Sequence, residues 1–181
     1  MLLLILGVAL WWGAHLFKRL APTRRAAMGD AGRGAVAAAL FVSIVLMVIG
    51  YRTAHGAFFW GPSGAAKGIN NLLMLLSVYL FAASGMKTAA ARRLRHPMLV
   101  GFGMWAFAHL IPNGDMPSFI LFGGLLAWVP VQMAVINRAT AWTPPPPAPM
   151  RKEIMALAGT VIVYGVIAMI HIWLGPNPFG A

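Results

Sequence analysis

Long apolar runs alternate along this chain with short, positively charged breaks. Residues 1–17, 34–51, 69–86, 97–112, 117–136 and 154–174 are each almost continuously apolar. A helix rises about 1.5 Å per residue and the hydrocarbon core of a bilayer is about 30 Å thick. A crossing therefore needs roughly 20 residues, with a lower bound near 17. The run 97–112 is short by that measure, but it carries no charge and lies between Arg95 and Asp115. It is read as a crossing like the others. The pattern predicts an all-α fold, a polytopic membrane bundle of about six transmembrane helices, as one domain over residues 1–181. The first run lacks a basic leader and a small-residue cleavage pattern, and a basic cluster follows it, so it reads as a retained helix.

The breaks set an orientation. Lys18, Arg19, Arg24, Arg25 and Arg33 occupy the first, Lys87, Arg92, Arg93 and Arg95 the third, and Arg138, Arg151 and Lys152 the fifth. The second holds Arg52 and Lys67, and the fourth none, so twelve of the fourteen basic residues fall on one side. Basic loops stay cytoplasmic, which puts both termini outside. Residues 143–149 (TPPPPAP) lack most backbone donors and favour an extended polyproline spacer on the cytoplasmic side. Between the fourth and fifth runs, Asn113 and Gly114 are expected to take a left-handed turn, with Asp115 beside the next helix N-terminus and Pro117 in its first turn.

Composition narrows the function. Of 181 residues 60% are apolar and 9% charged, against roughly 25% charged in soluble domains. A net charge of +11 raises nucleic acid as a partner, but the cations sit in breaks between apolar runs and not along one face of a soluble fold. Nucleic-acid binding is excluded on that pattern. With no cysteine there is no disulfide, thiolate metal site or thiol nucleophile. The acidic residues Asp30, Asp115 and Glu153 stand in loops or at helix ends, and no metalloprotease, nucleophile-elbow or phosphate-loop motif occurs. Hydrolysis lacks its parts.

Histidines remain. An ionisable side chain in hydrocarbon is costly enough to require a reason. Gly101, Trp105 and His109 recur every four residues and share one helix face. They form either a packing stripe with an interhelical hydrogen bond or one wall of a metal or haem site. His15 follows Trp11 and Trp12 and precedes Lys18 and Arg19, as an interfacial aromatic belt or a haem-side residue would. Tyr164, Ala168 and His171 share a face near the outer end of the last run, and His96 opens the fourth. Depth places His109 and His171 in the outer half and His15 and His96 near the inner face.

The series Arg95-His96-Pro97-Met98-Leu99-Val100-Gly101, Trp105-Ala106-Phe107-Ala108-His109-Leu110, Asn113-Gly114-Asp115 and Leu121-Phe122-Gly123 resembles the NnrU family. Further matches are Gly13-x-His15 with Pro22 and Arg25, Gly50-Tyr51, Trp60-x-Pro62 and His171-x-x-Leu174-Gly175. The resemblance covers nearly the whole chain and implies a small membrane protein of nitrite and nitric oxide reduction in denitrifying bacteria. The same superfamily includes the 15-cis-zeta-carotene isomerases, which carry haem b and isomerise a polyene. By that likeness His15 matches a first-span histidine implicated in haem ligation, and His109 and His15 become the candidate iron ligands, with His171, Trp105 and His96 as further cofactor-binding candidates. Those relatives place a His-His pair in the fifth span where this chain has Ala127-Trp128. That departure leaves a single axial ligand, a different second ligand, or no haem. The resemblance thus implies a haem-binding denitrification protein or a haem-dependent cis-trans isomerase of an apolar small molecule such as a polyene. The rival reading is a non-catalytic assembly or transport factor with a membrane-protein partner, its histidines structural.

Overall fold

Each apolar run forms a helix, and the helix limits follow local chemistry. A computed structural model describes residues 1–180. The elements are α1 (Leu2–Leu20), α2 (Pro22–Ala27), α3 (Ala31–Thr53), β1 (Phe58–Trp60), α4 (Gly64–Met86), α5 (Ala89–Arg93), α6 (Pro97–Leu110), β2 (Gly114–Asp115), α7 (Met116–Ser118), a π-helical turn (Phe119–Gly123), α8 (Gly124–Ala139) and α9 (Met150–Leu174). From α7 through the π turn to α8 the chain runs as one continuous span, Met116–Ala139. Among the described residues five helices are long and apolar enough to cross a membrane: Leu2–Leu20, Ala31–Thr53, Gly64–Met86, Met116–Ala139 and Met150–Leu174. α6 is also apolar but has only 14 residues, about 21 Å of helix against about 30 Å of hydrocarbon. Large apolar side chains point outward along the long helices, including Leu72 (71% exposed), Val161 (65%) and Trp173 (74%). Water does not tolerate such a surface, and lipid does.

The described residues fall into two compact units. One is residues 1–59 with 114–141, and the other is residues 60–113 with 142–180.

In the first unit α1 packs along α3 at a helix-to-helix close approach. A Cβ on Gly50 would lie 2.4 Å from the Leu4 amide nitrogen, and one on Gly7 would lie 2.8 Å from that of Met47. Small residues permit this because lipid supplies no hydrophobic drive, so helices adhere through close packing. The start of α8 meets α1, where the Trp12 Nε1–H donates to the Gly124 carbonyl at 3.0 Å. Tyr51 on α3 shares a 2.8 Å hydrogen bond with Ser118 and stacks edge-on to Phe122. Asp115 caps the Met116–Ala139 span, accepting the Ser118 amide at 2.8 Å, as its position before Pro117 predicts.

One expectation is corrected here. The described residues with positive φ are Lys87 and Gly29, so Asn113 and Gly114 make no left-handed turn. Gly114–Asp115 is instead extended and pairs with β1, and the Met116 amide donates to the Ala57 carbonyl at 2.9 Å. A partner strand distant in sequence supplies the hydrogen bonds that a tight turn would have made internally.

In the second unit α4 packs on α6 and α9. A Cβ on Gly101 would lie 2.9 Å from the Ser77 carbonyl oxygen, and the Ser77 hydroxyl donates to the Gly101 carbonyl at 2.7 Å. The Gly101 end of the histidine stripe is therefore a contact with α4. Glu153 on α9 accepts the Ala89 amide at 2.8 Å, satisfying an exposed donor at the start of α5. The proline-rich stretch has no regular structure, Arg92 Nε donates to the Pro145 carbonyl at 3.1 Å, and Pro149 holds polyproline angles at the N-cap of α9. Beyond α9, residues 175–180 fold back on α4. Asn71 Nδ2 donates to the Pro178 carbonyl at 3.0 Å, and Lys67 Nζ donates to that of Gly180.

Candidate functional site

The span histidines share one local device. Nδ1 of His15 lies 3.0 Å from the Trp11 carbonyl, that of His109 2.9 Å from the Trp105 carbonyl, and that of His171 2.8 Å from the Ile167 carbonyl. A carbonyl only accepts, so Nδ1 carries the hydrogen and Nε2 is the acceptor nitrogen. This tautomer presents Nε2 to a metal, with the Nδ1 bond fixing the ring.

The second unit brings His109 and His171 together. Their ring centroids are 6.5 Å apart and their planes are inclined by 44°. Trp105 stands against His109 at 5.3 Å, and Phe102 continues the aromatic wall at 5.1 Å from Trp105. The predicted face of α9 is realised, since Tyr164, Ala168 and His171 line one void with His109. Asn70, Asn71 and Met74 of α4 line it too, as does Pro178. Asn70 Oδ1 is buried without a hydrogen bond there. The sequence reading missed both asparagines, although amides on an otherwise apolar span are the signal that marks such a position.

His15 is placed in the first unit. Its ring lies 4.1 Å from that of Trp11 and 4.8 Å from that of Trp128, and the two indoles meet edge-on at 5.6 Å. The position where the resemblance implies a His-His pair thus holds a buried indole against His15. His96 is the N-cap residue of α6, at the opposite end of that helix from His109.

The donor chemistry suits haem iron or a bare ion. Volume separates the two. The void beside the pair measures about 50 Å³, room for an ion or a few waters. A macrocycle needs the several hundred Å³ of an ordinary ligand pocket. Among the described residues no three His, Asp or Glu side chains cluster as a metal site.

Helices this apolar, with histidines held inside them, define a multi-pass membrane protein. The chain matches the family described as NnrU protein over residues 3–178, and it belongs to that family. No curated protein and no solved structure matches it.

Proposed function

We propose that this NnrU-family protein serves nitrite and nitric oxide reduction at the bacterial inner membrane through a metal ion held by His109 and His171. The supporting observation is the imidazole pair of the second unit, 6.5 Å between centroids, beside a void of about 50 Å³ that has room for an ion and not for a macrocycle. A redox-active ion on imidazole would bind nitric oxide and pass single electrons. His109 supplies one imidazole, held through Nδ1 by the Trp105 carbonyl, and His171 supplies the other, held by the Ile167 carbonyl. The test replaces His15, His96, His109 and His171 singly by Ala and records bound metal and the Soret band alongside folded yield. One equivalent of metal without a Soret band is expected in the wild type, lost in His109→Ala and His171→Ala and kept in His96→Ala. Metal content that falls in His15→Ala and not in His171→Ala overturns the His171 assignment.

The family resemblance supplies a second reading, haem b held through His109. That reading requires a Soret band in the wild type that is lost in His109→Ala, and a wild type without the band ends it.

The proposed topology is six crossings with both ends outside. Reporters fused after Arg25, Arg93 and Thr143 are expected to read cytoplasm. Those after His55, Asn113 and Gly180 are expected to read periplasm. The basis is the twelve-to-two division of basic residues. A cytoplasmic reading at the C-terminal fusion would mean that α6, with 14 residues, re-enters without crossing.

A further inference from the structure

A pocket of about 370 Å³ opens in the first unit where α1 ends, lined by Lys18, Pro22, Arg25, Ala26, Gly29, Asp30 and Arg33. Three cations face one carboxylate. That carboxylate is a weak opponent, because Asp30 pairs with Arg33 at 3.2 Å on side chains 92% and 80% exposed, where water screens the pair. Arg25 is seated in place. Its Nη1 donates to the Gly29 carbonyl at 3.0 Å, and it lies against Gly32, where a Cβ would come 2.6 Å from the same nitrogen. A guanidinium held in this way loses little freedom on meeting an anion and presents a planar fork suited to phosphate.

We propose that this pocket binds the phosphate of an anionic phospholipid headgroup. Its place favours lipid over a soluble phosphate. Lys18 and Arg19 form the last turn of an apolar spanning helix, so the pocket lies at the depth of the headgroups. Beside it Leu20 is 67% exposed and Met28 41% exposed, and Pro22 and Ala26 line it. These are surfaces for an acyl chain next to cations for its phosphate, and a free anion uses only the second. Basic pockets at the ends of spanning helices recognise anionic headgroups through this combination.

The experiment measures retention of radiolabelled phosphatidylglycerol by the purified full chain in neutral detergent, with phosphatidylcholine as comparison. The wild type should prefer phosphatidylglycerol at least ten-fold. The triple variant Lys18→Gln, Arg25→Gln, Arg33→Gln should lose binding on the order of 100-fold. Gly32→Ala, whose Cβ would meet Arg25 Nη1 at 2.6 Å and Met28 Cβ at 2.7 Å, moves both side chains without changing charge and should weaken it in a chain that elutes as folded. The triple variant Arg138→Gln, Arg151→Gln, Lys152→Gln removes equal charge elsewhere and should retain it. Three results would each overturn the proposal: equal retention of both lipids, equal loss in the two triple variants, or displacement by equimolar inorganic phosphate. The last would make the pocket a soluble-anion site.

Discussion

Gly50→Leu is expected to yield no folded protein on size-exclusion chromatography in detergent. The Cβ alone would sit 2.4 Å from the Leu4 nitrogen, 2.7 Å from its Cα and 2.9 Å from the Leu3 carbonyl carbon. All three are backbone atoms of α1, which cannot rotate aside as a flexible side chain does. Overpacking a well-packed contact costs about 1–3 kcal/mol. A clash with backbone lies at or above the top of that range, so Gly50→Ala should already lower the thermal midpoint sharply. Gly13→Ala and Gly159→Ala are the controls, because a Cβ at either meets nothing within 4 Å. A Gly50→Leu protein with a wild-type midpoint would mean that α1 and α3 do not meet there.

Trp128→Ala should cost about 3 kcal/mol, the lower end of the range for emptying an aromatic site in a core. The indole is 3% exposed and packs on both Trp11 and His15. Lipid is as apolar as the protein interior, so little transfer energy is lost, and the loss is one of contacts around a cavity. Trp128→Phe should recover most of it. Near-ultraviolet circular dichroism reads the site directly, since Trp11 and His15 would lose their neighbour. An Ala variant with unchanged spectrum and midpoint would remove Trp128 from the core of the first unit.

Much of the local structure was legible because a membrane simplifies the code. A segment crossing hydrocarbon must be helical and long, so uninterrupted apolar runs declare the helices, and Pro97 and Pro117 mark helix starts. The faces were legible too, since helical geometry puts Gly101, Trp105 and His109 on one stripe and Tyr164, Ala168 and His171 on another. The turn at Asn113–Gly114 was misjudged because its hydrogen bonds come from β1, far away in sequence.

The sequence by itself determined which segments are apolar helices, where they break, and which side chains each helix groups on a face. Those are consequences of composition and of a 3.6-residue period. Only the tertiary structure decided which faces meet. It set His109 beside His171, put Trp128 against His15, and turned Gly101 toward Ser77. In lipid every helix face is apolar enough to be exposed, so hydrophobicity does not choose the partner. That choice rests on close fit between small residues and on a few buried polar groups, which show themselves only once the helices are side by side.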